Sequence, residues 1–266
     1  MAIAARAPPG LAMTLLSVEG VSVSFGGVAA VRDLSMTLKT GEIRGLIGPN
    51  GAGKTSLINA ITGVIATRSG SIRFEDREIM RLAPERISSI GIGRTFQHVE
   101  LFREETVIEN VLTGLYRHHV YGLASAMLGM CRDAEAGARR EAADLLALFE
   151  LSAFADARAG DLPFGIQKRV DLARAIAARP KLLLLDEPVS GMSEAEANAA
   201  ILSARSLAHE RGVTLLVVEH NMRVMMQLAE RITVMDRGRV IAEGTPQEIS
   251  GNPAVVDAYL GETTHA

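Results

Sequence analysis

The chain has 266 residues, 48% of them apolar, with 28 basic and 31 acidic side chains and a net charge of −3. That length suits one large α/β domain or two small ones. The near-balanced charge does not advertise a partner held mainly by its own negative charge, such as nucleic acid or an anionic membrane surface. The one cysteine, Cys131, excludes an internal disulfide and suits a reducing compartment, and no apolar run approaches the ~18 residues of a membrane span.

Residues 1–13 hold Arg6 and Pro8-Pro9-Gly10 with no long apolar region after the charge, and read as a disordered leader rather than a secretory signal. Residues 15–40 read as strands: Val21, Val23 and Phe25 alternate with Ser22, Ser24 and Gly26, and Gly26-Gly27 is a turn. Glu42 to Ile47 is a short buried strand, and Thr55 to Ile61 a helix. Ser71 to Glu75 is a strand, Pro84 to Ser89 a short helix, and Gly91 to Gln97 an extended piece. From Thr106 to Ala178 the chain reads as mainly helical, with an apolar stripe at Ala142, Leu145, Leu146 and Phe149 and a last helix over Gly165 to Ala178. Leu182 to Leu185 and Val213 to Val218 are continuous apolar runs, as strands buried on both faces require. Ser193 to Glu196 is a capping box opening a helix that Gly212 ends. A helix over Asn221 to Ala229, a hairpin turning at Asp236-Arg237-Gly238, and short helices near Pro246 and over Pro253 to Leu260 complete the chain.

Between the Glu42–Ile47 strand and the Thr55–Ile61 helix lies Gly48-Pro49-Asn50-Gly51-Ala52-Gly53-Lys54-Thr55, which fits G-x-x-x-x-G-K-T in the strand–loop–helix context that pattern needs. Its glycines let backbone N–H groups close around phosphate oxygens, and the helix start, through Thr55 and Ser56, adds unpaired N–H groups. Lys54 supplies a charge for the outer phosphates, and Thr55 a hydroxyl for Mg²⁺. A phosphate site of this kind needs a carboxylate on the far side of the metal. The apolar strand ending at Asp186 delivers one to the sheet's C-terminal edge, and Glu187 is placed to activate a water against the γ-phosphate.

With these pieces in order, the chain resembles an ATP-binding-cassette (ABC) ATPase subunit from about Leu15 to Leu260. The resemblance implies an α/β P-loop NTPase fold: a RecA-like core, an N-terminal antiparallel β-subdomain, and an inserted α-helical subdomain at about 100–178 within a single domain over 14–262. It implies ATP and Mg²⁺ as ligands. Gln97 then matches the glutamine that reaches Mg²⁺ and the attacking water, and His220 the histidine contacting the γ-phosphate. Phe25 stands where the family stacks an aromatic on adenine; taken alone, Phe25 reads as core. Gly165 belongs to the signature segment that crosses to a second cassette's nucleotide.

That segment departs from the usual L-S-G-G-Q: it reads Leu162-Pro163-Phe164-Gly165-Ile166, then Gln167, and the motif after Pro188 ends in Ser193. Two readings are open. Either the backbone contacts survive and the variants are tolerated, or the chain lends a weakened signature and the two ATP sites of a heterodimer are unequal. Arg94 to Phe102, Thr106 to Val111, Leu162 to Gly165 and the tail Asn252 to Gly261 resemble, more finely, the ATPase subunits of branched-chain amino acid importers. The resemblance implies as partners a second ATPase subunit, membrane permease subunits and, indirectly, a periplasmic or extracellular solute-binding protein, on the cytoplasmic face of the inner membrane. His118 to Met130 and the Gln97 region are the expected permease contacts. Rival readings are an importer for urea, amides or another solute, an ABC ATPase acting on nucleic acid or ribosomes, and a non-hydrolysing regulatory cassette.

Overall fold

The computed structural model describes residues 13–95, 99–116 and 131–260. The expected leader, apart from Met13, lies outside them, as do Gln97 and the stretch His118 to Met130.

Two sheets organise the described residues. Strands β1 (Thr14–Phe25) and β2 (Val28–Lys39) form a long antiparallel hairpin, extended by β4 (Ser69–Phe74) and by β5 (Arg77–Glu78) into a sheet of order β2-β1-β4-β5. The second sheet has the order β10-β9-β3-β8-β7-β6, from β3 (Ile43–Ile47), β6 (Ile92–Arg94), β7 (Leu182–Asp186), β8 (Thr214–Val218), β9 (Arg231–Asp236) and β10 (Arg239–Gly244). Its strands run parallel except for β10, which pairs antiparallel with β9.

Every residue of β3, β7 and β8 is buried. Alternation assigns their faces. Leu182, Leu184, Leu216 and Val218 join the core beneath the antiparallel sheet and α1 (Lys54–Ile61). Leu183, Leu185, Leu215 and Val217 join the core on the helical side. The four-leucine run is thus apolar throughout because it serves two cores at once.

Helix α2 (Pro84–Ser89) lies at the sheet edge with Ile87 in the core beneath the antiparallel sheet, and the helical side carries α3 (Val107–Tyr116), α4 (Cys131–Leu148) and α5 (Phe164–Ala177). The expected helical block is therefore not continuous: turns at Ser152–Phe154 and Ala159–Asp161 separate α4 from α5. The stripe of α4 is buried as read, with Ala142, Leu145, Leu146 and Phe149 each at 1% exposure or less. Helix α6 (Glu194–Arg211) starts at the expected capping box: Ser193 Oγ accepts from Glu196 N–H, and the Glu196 carboxylate accepts from Ser193 N–H. Gly212, at φ 66°, ends it. Helices α7 (Met222–Leu228), α8 (Pro246–Ser250) and α9 (Pro253–Leu260) complete the described chain.

A buried ion cluster fastens the two sheets together. Arg44 on β3, 5% exposed, donates to Glu42 at 2.6 Å, to Thr233 on β9 at 3.0 Å, to Glu243 on β10 at 3.2 Å and to the Thr37 carbonyl on β2 at 3.1 Å. Removing one side of such a pair strands the other in a low-dielectric interior. We expect Arg44→Met to cost about 3–5 kcal/mol in urea unfolding. The double variant Glu42→Gln/Arg44→Met should lose less than the two single variants combined.

Candidate nucleotide site

The loop Gly48 to Gly53 is gripped from two sides. Gly48, at φ 150°, lies so close to β9 that a Cβ there would fall 2.0 Å from the Met235 carbonyl oxygen. Gly53, at φ 99°, approaches β2 in the same way, with 2.2 Å to the Ala30 carbonyl oxygen. Gly238, in the β9–β10 turn, donates its N–H to the Ala52 carbonyl at 2.9 Å. Only glycine meets both demands at 48 and 53, positive φ and no side chain. The N-cap of α1 is Gly53, which makes no side-chain cap, and the first turn carries no acidic residue. Its leading N–H groups therefore face no built-in carboxylate competitor, the condition for binding an anion. Lys54 folds back over the loop, with Nζ donating to the carbonyls of Gly48 at 2.6 Å and Pro49 at 2.9 Å. Asn50, Gly51 and Thr55 are exposed, and Pro49 and Ala52 are buried.

At the same sheet edge, β7 delivers Asp186, 4% exposed. Arg94 at the end of β6 donates Nη2 to Asp186 Oδ2 at 3.2 Å and Nη1 to Asn59 Oδ1 on α1 at 2.6 Å. Burial pushes the Asp186 carboxyl up, opposed by the Arg94 guanidinium. A divalent cation would favour the ionised form here as Arg94 does. Among the described residues no group of three or more His, Cys, Asp or Glu could hold a metal. Of the described residues read from sequence as metal ligands, Thr55 offers a hydroxyl and Asp186 a carboxylate. That sparse oxygen set fits Mg²⁺ completed by phosphates and water.

Glu187 follows at φ 50°, its N–H donated to the Val218 carbonyl at 2.9 Å. The left-handed backbone turns its side chain away from that of Asp186. His220, beyond the end of β8, sits with Nδ1 3.7 Å from a Glu187 carboxylate oxygen and 3.8 Å from one of Glu219. His220 is largely exposed, whereas Glu219 is buried, and burial raises the Glu219 carboxyl pKa. Glu219 accepts the Val189 N–H at 3.2 Å and so ties the segment after Glu187 to the end of β8.

The structure therefore gathers Lys54, Asp186, Glu187 and His220 around one sheet edge. Phe25 corrects its stand-alone reading: it is 51% exposed at the tip of the β1–β2 hairpin, not in the core. The second strand of the same hairpin supplies Ala30 to the phosphate loop. Ser56, in the first turn of α1, is partly exposed. Gly165 lies in the first turn of α5, where the nearest atoms to an added Cβ belong to Met192 and Glu196 rather than to the loop at 48–55. Pro163 occupies the N-cap position, where a missing N–H costs little, and Ile166 is buried in the helical core. Ser193 is committed to the α6 cap. Arg94, Lys168 and Glu219 were not singled out by sequence, although each touches the Asp186–His220 region. A charged residue inside an otherwise buried strand or helix face was the available signal.

Arg94 braces Asp186 against α1, so its loss should loosen the Asp186 carboxylate and leave the phosphate loop intact. We expect Arg94→Met to raise the Mg²⁺ concentration needed for Mg²⁺-dependent nucleotide binding by about 10–100-fold. Binding measured with the metal chelated should be unchanged. Fluorescence titration of nucleotide at graded Mg²⁺ reads both.

Comparison with known proteins agrees with this geometry. The family described as ABC transporter matches residues 31–190, and the family described as branched-chain amino acid ATP-binding cassette transporter matches 239–265. The high-affinity branched-chain amino acid transport ATP-binding protein LivG of Salmonella typhimurium is 39% identical over 254 residues, covering 95% of this chain and all of the relative. The corresponding protein BraF of Pseudomonas aeruginosa is 37% identical, covering 93% of this chain and 98% of its own. A solved ATP-binding cassette of an ABC transporter in its ADP conformation superposes with a TM-score of 0.79 at 31% identity, over 94% of this chain and 99% of that one. The chain belongs to the ATP-binding-cassette family of transporter ATPases.

Proposed function

We propose that this chain hydrolyses ATP to drive an importer for branched-chain or other hydrophobic amino acids. The observation that carries the hydrolytic reading is the convergence of Lys54, Thr55, Asp186, Glu187 and His220 on one edge of a parallel sheet. Residues 14–262 act as one ABC domain, with about 100–178 as its helical subdomain. The solute reading rests on the LivG and BraF likeness and on the separate match of the tail at 239–265.

In this reading the loop at 48–56 and α1 hold the phosphates, and Lys54 exchanges its loop carbonyls for phosphate oxygens. Phe25 stacks on the adenine. Thr55 and Asp186, with Gln97, would hold Mg²⁺, which would supply positive charge against the phosphates. Glu187 takes a proton from the attacking water, a role that contributes roughly 10²–10⁴-fold in rate. His220, beside Glu187, donates toward the γ-phosphate. Gly165 of a second cassette, identical or different, completes the site from outside the chain.

No described helix is long and apolar enough to cross a membrane. Attachment to the cytoplasmic face of the inner membrane through permease subunits is therefore the proposed location, with a solute-binding protein delivering cargo on the other side. Gln97 and His118 to Met130, the expected permease contacts, lie outside the described residues. Among the described residues, a pocket of about 300 Å³ lined by Phe102, Glu105, Glu109, Leu112, Thr113 and Tyr116 leaves Phe102 and Tyr116 half exposed. Such an apolar patch supports docking of a partner there.

Glu187→Gln should bind ATP, hydrolyse it at least roughly 10²-fold more slowly, and accumulate an ATP-dependent dimer. Lys54→Ala should lose nucleotide affinity. Turnover of Glu187→Gln at the wild-type rate, in a phosphate-release assay, removes the hydrolytic reading. For the partner and solute, a photo-crosslinker at Tyr116 should capture a permease subunit in the native complex, and deletion of the gene should abolish uptake of labelled leucine. Loss of urea uptake with leucine uptake intact overturns the solute.

A further inference from the structure

Two neighbouring cations near the start of α5 are buried, and the phosphate chemistry uses neither. Lys168 is 5% exposed and Arg169 is 8% exposed. Adjacent residues on a helix point about 100° apart, so the two side chains leave α5 in different directions. Arg169 donates to the carbonyl of Phe149, just past α4, at 3.2 Å. Lys168 reaches toward the catalytic edge: Nζ donates to the Glu187 carbonyl at 2.6 Å and to the Ser190 hydroxyl at 2.7 Å. The same Glu187 carbonyl accepts the Ser190 N–H at 3.3 Å. The turn 187–190 is thus closed by its own backbone and pinned at both ends by one ammonium.

The contact is broader than Lys168. The Phe164 ring lies 5.5 Å beneath the ammonium, within cation–π range. It also packs on Gly191, where a Cβ would come within 3.1 Å of the ring. Gly165 faces Met192 and Glu196. Segment 162–168 and segment 187–196 therefore form one packed unit. Burial lowers the Lys168 pKa, and the carboxylates of Glu219, Glu187, Asp171 and Asp186 oppose that. An ammonium is a costly way to fill space there, since an apolar side chain of like volume would pack without desolvation. What it adds is a directional hold on the Glu187 main chain.

We propose that Lys168 is a positioning residue that couples the segment this chain lends to a second copy to the orientation of its own Glu187. Docking of residues 162–167 on nucleotide held by the other copy displaces α5, and Lys168 passes that displacement to the Glu187 turn. The inference rests on the proposed ATP-closed dimer. It makes hydrolysis at one nucleotide depend on engagement of the other.

The test uses the full chain with Lys168→Met, Lys168→Arg and Glu187→Gln. Thermal unfolding, binding of a fluorescent ATP analogue, phosphate release, and light scattering of the Glu187→Gln background with ATP are measured. Lys168→Met is expected to keep cooperative unfolding, nucleotide affinity and, in the Glu187→Gln background, the ATP-dependent dimer. It should lose hydrolysis by roughly 10²-fold, the loss that a displacement of about 1 Å at a reacting group produces. Lys168→Arg should recover most of the rate. Wild-type hydrolysis by Lys168→Met overturns the inference, as does loss of the dimer in Lys168→Met/Glu187→Gln, which would give Lys168 the task of shaping the lent segment alone. If Lys168→Met does not fold, Ser190→Ala, which removes one of the two partners, must show the same split in weaker form; unchanged hydrolysis overturns the inference. Wild-type turnover by Glu187→Gln, or no ATP-dependent dimer in that variant, removes the underlying reading and the inference with it.

Discussion

One row of strand register holds the site together. Leu46 on β3 pairs with Val218 on β8, and Val218 pairs with Asp186 on β7. The residues that follow each partner, Gly48 onward, Glu219-His220 and Glu187, must then emerge at the same height on one edge. Parallel strands buried on both faces cannot slip by one residue without exchanging their two cores. The hydrophobic pattern of three short strands thereby fixes the relative placement of the phosphate loop, Asp186 and Glu187. None of those groups needs to touch another to be positioned.

The rest of the molecule closes around that row. The antiparallel sheet presses Ala30 against the loop, the β9–β10 turn holds it from the other side, and Arg44 locks both sheets to β3. On the helical side the sheet's other face is covered by helices, and residues 162–168 pack on 187–196 as one joint at the edge that carries Asp186 and Glu187. The two halves differ in character: the loop is clamped by backbone, whereas the joint depends on side chains that can shift together.

Much of this was legible because it is local. The glycine-lysine-threonine loop, the four leucines before Asp186 and the capping box at Ser193 each carry their meaning within a few residues. Phe25 misled as an isolated residue because period-2 alternation places it on the buried face of β1, while its position at the hairpin tip removes the cover from that face. Strand β5 has two residues, too few to show a period. Arg94, Lys168 and Glu219 escaped because their partners lie far away in sequence: Arg94 bonds Asp186 across 92 residues, and Glu219 bonds Val189 across 30. Lys168 and Arg169 are buried although Phe164, one turn earlier on the same helix, is exposed, and that distinction comes only from the packed fold.

The backbone of Glu187 bears on how the protein can be altered. A non-glycine residue at φ 50° carries a conformational cost of order 1–3 kcal/mol, which the surrounding turn sustains. Folding and chemistry therefore make opposite demands at this position. Glycine would relax the chain there and remove the proposed base, so selection for thermal resistance alone would drift away from the proposed function of residue 187. A variant library sorted on melting temperature would enrich for hardier, inactive proteins at that single site, and a screen that reads hydrolysis would hold it as glutamate.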